Sequence, residues 1–245
     1  MSYKSPIEDF KYNLAMLNYD EIIAGIDKFK DYDSDTLMSV VSEIGRLNEL
    51  EVVDSNKIGD REGLKYLPDG PEGPEVQTPE AFKKIYEVVK DSGYVGATMP
   101  TQYGGGGAPF TTAILAGEVG IASNMAFYMG PGLSHGAMKT ILKKATEELK
   151  NKYLPNMTSG EWMGTMCLTE PQCGTDLGLI KSTAKPVDDH YELNGQKIWI
   201  SFGEHDLTEN IIHLVLARTP DAPAGIKGIR LFLVPKRLDD NSRNP

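Results

Sequence analysis

The sequence predicts an α+β protein: an all-helical first part followed by an antiparallel β-sheet or barrel. Three observations predict it. Apolar residues recur with a period near 3.6 up to about residue 155 and with a period of 2 beyond it. The pair Asn194-Gly195 stands between two alternating runs, a strong short hairpin signal because both residues accept positive φ. Strands do not alternate with helices, and no G-x-G-x-x-G follows a strand, which excludes a nucleotide-binding βαβ sheet.

The helices come first. Ser5-Pro6-Ile7-Glu8 combines a capping serine, a proline in the first turn and a glutamate three residues on; Phe10, Leu14 and Leu17 then share a face. Asp20 to Phe29 reads as a second helix with Ile22, Ile23 and Ile26 as its stripe. Asp33 or Ser34 opens a longer one that carries Leu37, Val40, Val41, Ile44 and Leu47 and fades near Gly59. The Pro- and Gly-rich stretch from Pro68 to Pro79 can hold neither a helix nor a central strand. Thr78-Pro79-Glu80 starts a helix with Phe82, Ile85, Tyr86 and Val89 on one face, ending at Gly93. Gly104 to Gly107 predict a mobile loop. Thr111 to Ile121 and Gly130 to Lys144 read as helices, and Thr146 starts a further short one.

The strands follow. Trp162 to Leu168 reads as one, Ser182 to Val187 as a weaker one, and Tyr191 to Ser201 as a hairpin turning at Asn194-Gly195. Ile211 to Arg218 and Ile229 to Val234 are two more apolar strands, followed by the polar run Leu238 to Pro245.

Composition narrows the function. A net charge of -10 argues against a nucleic-acid partner, because phosphate recognition along a backbone needs clustered Lys and Arg. Cys167 and Cys173 have no partners for a metal quartet or a disulfide framework, which predicts two reduced thiols. Met1 to Asp9 lacks the basic-then-apolar pattern of a secretory signal, and no uninterrupted apolar run approaches the ~20 residues that span a bilayer. The expectation is a soluble cytoplasmic protein without a membrane span.

Three clusters could carry chemistry. In Met166 to Asp176 a strand runs into a turn fixed by Pro171, then Gly174 for close approach, with Thr169 and Thr175 as donors and acceptors. An ordinary strand exit, with Asp176 capping a short turn, fits the same residues. In Lys197 to Ser201, a strand would place Trp199 and Ser201 on one face, an indole beside a hydroxyl, suited to a planar heteroaromatic ligand. A core tryptophan with a rim serine is the competing reading. Gly203 to Asn210 contains His205, Asp206 and Glu209, but its spacing fits neither a helix-borne metal pair nor a calcium loop, so a surface loop without metal is expected. Met125, Met129 and Met138 could line an acyl pocket or simply pack helices. No nucleophile stands out: His135, His190, His205 and His213 lie apart, outside any triad motif.

The first two clusters in this order and spacing, Cys167-Leu168-Thr169-Glu170-Pro171 through Gly174-Thr175-Asp176, then Asn194-Gly195-Gln196-Lys197 with Trp199-Ile200-Ser201, resemble the acyl-CoA dehydrogenase family. Met99-Pro100 through Tyr103-Gly104-Gly105 resembles a loop of the same family, so the likeness runs over about residues 80 to 235. The long segment before residue 60 and Glu204 to Asn210 resemble its larger-subunit branch, which includes enzymes acting on methylthiopropanoyl-CoA and on long-chain acyl-CoA. The resemblance implies an N-terminal helical domain over residues 1–160, with an extended segment 1–60, and a middle β domain over 161–245 that is incomplete. A C-terminal four-helix domain, home of the family's catalytic glutamate, would be absent, so no catalytic residue is assigned and the fragment alone is expected to be inactive.

What else the resemblance implies is FAD-dependent α,β-dehydrogenation of an acyl-CoA thioester to a trans-2-enoyl-CoA. Cofactor contacts fall on Met166, Leu168, Thr169, Gly174, Thr175, Trp199 and Ser201. Leu168 and Thr169 would meet the pyrimidine end of the flavin, Trp199 its ring and Ser201 its N5 edge; the family usually has threonine where Ser201 stands. Thr175 and Asp176 are implied as substrate contacts. An electron-transfer flavoprotein as acceptor and a homo-oligomer are implied as partners. A non-catalytic acyl-CoA- or partner-binding module, and an acyl-CoA oxidase or flavin monooxygenase of the same fold, are the other readings.

Overall fold

The computed structural model describes residues 3–245. Helices fill the first part: α1 (Ile7–Met16), α2 (Tyr19–Ala24), α3 (Ser34–Leu47), a π-turn at Asn48–Val52, α4 (Val53–Glu62), α5 (Glu80–Asp91), α6 (Phe110–Lys144) and α7 (Glu147–Ser159). The strands β1 (Lys65–Leu67) and β2 (Glu75–Gln77) form a small antiparallel ribbon around the Pro/Gly-rich stretch. Then come β3 (Trp162–Cys167), β4 (Thr183–Val187), β5 (His190–Asn194), β6 (Asn210–Arg218) and β7 (Ile229–Pro235). Apart from β1 and β2, which interrupt the predicted all-helical part between α4 and α5, the helices-then-strands order is as the periodicity predicts.

Local chemistry explains most boundaries. The Asp33 carboxylate accepts from the Thr36 N–H at 2.8 Å and caps α3. Thr146 does the same for α7 through Leu149 N–H. At α1 the expected serine cap does not form: Pro6 is the N-cap, and the Ser5 N–H donates instead to Glu49 Oε1 at 2.8 Å. The predicted second helix is shorter than Asp20 to Phe29, giving way to turns after Ala24.

α6 corrects the expectation of two helices separated by a linker. The chain kinks at Asn124 (φ -156, ψ 87), and the second half starts at once, because Asn124 Oδ1 accepts from Phe127 N–H at 3.1 Å. The same side chain donates to Ser55 Oγ at 2.8 Å and ties α6 to α4. By length and composition α6 could cross a membrane, yet here it is the central helix, packed on α3, α4, α7 and β3.

The glycine run is the second correction. The N–H groups of Gly105, Gly106 and Gly107 donate to the carbonyls of Pro100, Gly96 and Met99, at 3.1, 3.1 and 2.9 Å. A Cβ at Gly105 would overlap the Met99 carbonyl. The run is therefore a backbone-knitted connection rather than a mobile loop, and glycine is needed for contact rather than for freedom.

The larger sheet runs β3-β6-β4-β5, with β7 on the other side of β6. It is mixed rather than antiparallel: β3 pairs parallel with β6, Trp162 opposite Asn210 through Cys167 opposite Val215. β4 touches β6 in parallel at Thr183 and Arg218, whereas β4–β5 and β6–β7 are antiparallel. One core joins the helical and β parts: Phe127, Met138, Leu154 and Met157 from the helices meet Met163, Ile212 and Leu214 from the sheet. A second cluster seats the N-terminal helices on α6 through Phe10, Leu14, Ile23, Leu37, Val41, Ala116 and Val119.

Candidate functional site

The site begins where β3 ends. Beyond Cys167 the chain enters a tight turn in which Glu170 and Cys173 exchange both backbone hydrogen bonds, at 2.9 and 3.0 Å, around Pro171 and Gln172. Gly174, Thr175 and Asp176 follow on the surface. Asp176 Oδ1 accepts from Gly178 N–H at 3.1 Å and so caps a short 3-10 turn, Leu177–Leu179. That is the bland role the sequence allowed for it.

The expected hairpin at Asn194-Gly195 is not there. β4 and β5 turn instead at Asp188-Asp189, where Asp188 takes the positive φ of 48°. Gly195 (φ 150°) is the exit from β5, pressed so closely on Ser182 that any Cβ would overlap the Ser182 side chain. Residues 195–201 form no strand, and Trp199 itself has φ 56°. The expectation that Trp199 and Ser201 share one strand face is therefore overturned, since that argument needs the two-residue period of an extended chain.

What brings the two motifs together is a buried ion pair. The Glu170 side chain is 2% exposed and the Lys197 side chain 12%, and Lys197 Nζ lies 2.8 Å from Glu170 Oε1. Glu170 also accepts from the N–H groups of Lys181 (2.7 Å) and Ser182 (3.0 Å) and from Gln172 Nε2 (2.6 Å). Burial pushes the Glu170 carboxyl up, but the bonds from Lys197, Ser182, Lys181 and Gln172 outweigh it and hold the group at about 2. Lys197 Nζ reaches the Leu168 carbonyl at 3.0 Å, and Ile198 N–H donates to the Thr169 carbonyl at 3.0 Å. One carboxylate thus fixes the turn, the entry to β4 and the Lys197–Ile198 segment.

The groups left uncommitted define the chemistry on offer. Among the described residues, the hydroxyls of Thr169, Thr175 and Ser201 make no hydrogen bond within the chain, and neither does the Thr169 N–H. Trp199 is 87% exposed, an unusual state for the largest apolar side chain. Met166 and Leu168 are half-buried, and Met166 packs against the main core. An open indole on a segment bonded to the turn that carries free donors, through Ile198 N–H and the Thr169 carbonyl, suits a planar polar ring that could cover the indole and take those donors. The residues present therefore fit a flavin.

Ser201 also borders a mostly apolar cavity of about 370 Å³, walled by Phe82, Ala126, Met129 and Phe202. Met125 is exposed, Met129 lines this cavity and Met138 is wholly buried, so the three methionines do not form one pocket.

Gly203 to Asn210 is not the expected surface loop. His205 and Leu207 are buried, Glu204 pairs with Lys236 and Arg243, and Asp206 accepts from Thr78 N–H (2.9 Å) and pairs with Lys83 at 2.8 Å. The segment fastens the β part to α5. Burial holds His205 neutral, near 3, with Nδ1 accepting from Leu207 N–H at 3.2 Å. Sequence reasoning passed over Glu170 and Lys197 as ligand-site organisers. The available signal was a Glu and a Lys of opposite charge, one in each motif, each followed directly by an apolar residue, Pro171 and Ile198.

Residues 71–161 match the family described as "Acyl-CoA dehydrogenase, N-terminal domain", and residues 165–243 match "Acyl-CoA dehydrogenase, middle domain". A 3-methylmercaptopropionyl-CoA dehydrogenase of Ruegeria pomeroyi is 37% identical over 239 residues, covering 97% of this chain and 40% of its own. A butyryl-CoA dehydrogenase of Syntrophomonas wolfei is 36% identical, covering 96% and 38%. This chain thus spans about two fifths of these curated relatives. In fold it resembles a glutaryl-CoA dehydrogenase from Mycobacterium smegmatis, solved in complex with FADH2, with a TM-score of 0.63 at 22% identity over 85% of this chain and 49% of that one. The two family matches are consecutive, and the second contains both the Glu170 turn and the Lys197–Ser201 segment. The chain belongs to the acyl-CoA dehydrogenase family.

Proposed function

We propose that this chain provides the FAD- and thioester-binding part of an acyl-CoA dehydrogenase. The observation that carries the reading is the pairing of unspent donors, at Thr169 and Ser201, with an 87% exposed Trp199 on a segment locked to the turn by Glu170 and Lys197. FAD, when bound, supplies the two-electron acceptor for α,β-dehydrogenation of an acyl-CoA.

The chain's own residues have the following parts. Trp199 would offer the surface for the ring. Thr169 would hold the pyrimidine end through its N–H, with Met166 and Leu168 closing the apolar side. Ser201 would supply the hydroxyl donor toward N5, with serine keeping the hydroxyl of the family's usual threonine. Gly174 and Thr175 would serve the cofactor rim and the CoA side, and Asp176 holds that segment by capping its turn. Fixed donors aimed at developing charge lower the barrier because they need no reorganisation when the charge arrives. The proton-abstracting glutamate belongs, by the resemblance, to a C-terminal helical domain that neither matched region covers, so Glu170 is not that base; it is fully spent on Lys197, Gln172 and two backbone N–H groups. The names of two relatives, a 3-methylmercaptopropionyl-CoA dehydrogenase and a butyryl-CoA dehydrogenase, support a short or sulfur-bearing acyl-CoA thioester as the substrate. The acceptor class is an electron-transfer flavoprotein, the working assembly a homo-oligomer, and the compartment cytoplasmic.

The test is titration with FAD, followed by flavin fluorescence and visible absorbance, then reduction by acyl-CoA in the intact enzyme. Ser201→Ala should leave FAD uptake near wild type and slow flavin reduction by about 100-fold, the scale for one lost oxyanion-type donor. A reduction rate that does not move removes Ser201 from its role, and a wild-type protein that takes up no FAD removes the proposal.

A further inference from the structure

Lys197 does more than neutralise Glu170. Its ammonium donates at 3.0 Å to the carbonyl oxygen of Leu168, which belongs to the same peptide group as the N–H of Thr169. That N–H has no acceptor within the described chain. A cation on the oxygen of a peptide withdraws electron density from it and makes its N–H a stronger donor, since hydrogen bonds in series polarise one another, most strongly at low local dielectric. Lys197 is 12% exposed, so water screens the effect little. Its direction is fixed too: Glu170 holds Nζ at 2.8 Å, and Ile198 N–H holds the next carbonyl, that of Thr169, at 3.0 Å.

We infer that Lys197 is a positioning residue that polarises the Leu168–Thr169 peptide, so that the Thr169 N–H binds the more negative, reduced form of the flavin in preference to the oxidised form. The inference rests on the proposed placement of the pyrimidine end at Thr169. A merely structural lysine would hold the turn and leave the two redox forms equally served.

Two readouts test it on the 245-residue chain. The first needs no flavin. In the ¹⁵N-labelled protein, Lys197→Met should move the Thr169 amide proton upfield, and Lys197→Arg, which keeps a cation on the carbonyl, should restore it. The second is the ratio of affinities for reduced and oxidised FAD. Lys197→Met should lower that ratio about tenfold, equivalent to about 30 mV in the two-electron potential, with Lys197→Arg again restoring it. Lys197→Met leaves Glu170 buried without its cation; if that variant does not fold, the double variant K197M/E170Q, which removes both charges, is read in its place. An unmoved Thr169 amide, or an unchanged affinity ratio in a folded variant, overturns the inference. A wild-type chain that binds neither form of FAD counts against the flavin assignment itself, and the amide shift still decides the polarisation.

Discussion

Replacing Glu170 with glutamine should destabilise the chain by about 3 kcal/mol at pH 7, and the loss should vanish in acid. Folding lowers this carboxyl from its ordinary 4.5 to about 2, and the side chain is 2% exposed, so water does little to screen its partners. At 1.36 kcal/mol for each tenfold change in proton affinity, that drop corresponds to about 3 kcal/mol of preference for the ionised form in the folded state. The figure agrees with the ~3–5 kcal/mol that follows from removing one member of a buried ion pair. The sign follows from the depressed value: the contribution is complete above about pH 4.5 and is lost as pH falls through about 2. Glutamine keeps the shape and one acceptor oxygen but never carries the charge. Urea unfolding, followed by the fluorescence of Trp162 and Trp199, should therefore show wild type and Glu170→Gln about 3 kcal/mol apart at pH 7 and converging between pH 4.5 and 2. A gap below 1 kcal/mol at pH 7 would refute the clamp. A gap that stays constant as pH falls would show that shape rather than charge holds the turn.

Other perturbations separate binding from stability. Trp199→Ala should change the unfolding free energy by less than about 0.5 kcal/mol, because the indole is 87% exposed, yet weaken FAD binding at least tenfold by fluorescence titration. Phe127→Ala should cost about 3–5 kcal/mol in the same urea assay, since its ring is fully buried with edge contacts to Phe82, Tyr86 and Tyr128 at 5.6, 6.4 and 5.3 Å. Gly105→Ala should lower the melting temperature and raise amide exchange at Gly106 and Gly107, because a methyl there overlaps the Met99 carbonyl; an unchanged melt would return this run to the mobile loop its composition suggests.

The helices were legible because burial largely follows a single periodicity: of the stripe Leu37, Val40, Val41, Ile44 and Leu47, Leu37, Val41 and Ile44 are buried and Leu47 partly so, whereas Val40, and Leu17, Ile22 and Ile26 of the two preceding stripes, are exposed. Features set by backbone contacts were not. The glycine run offers no side chain to read, and its partners are carbonyls between Gly96 and Pro100. The α6 kink depends on one asparagine capping its own continuation, and Asn124 within an apolar stretch looks like any half-tolerated polar residue. The parallel pairing of β3 with β6 joins segments ~48 residues apart, beyond the reach of any local pattern.

The site shows why its motifs were recognisable while their geometry was misjudged. Asn194-Gly195 carries the strongest local turn signal in the chain, yet Asp188-Asp189 makes the turn, and register decides it: pairing Thr183 with Asn194 through Val187 with His190 leaves only two residues between β4 and β5. Glycine at 195 is then required for a different reason, the close approach to Ser182, whose own N–H is held by Glu170. A chain of contacts thus runs from Gly195 through Ser182 and Glu170 to Lys197, Leu168 and Thr169. Its spacing in sequence reflects this three-dimensional circuit rather than a ribbon. A side chain larger than hydrogen at Gly195 should therefore disturb Thr169 without touching it. Gly195→Ala should shift the Thr169 amide resonance in the same spectra that read Lys197, while a resonance that stays in place would break the circuit at Ser182.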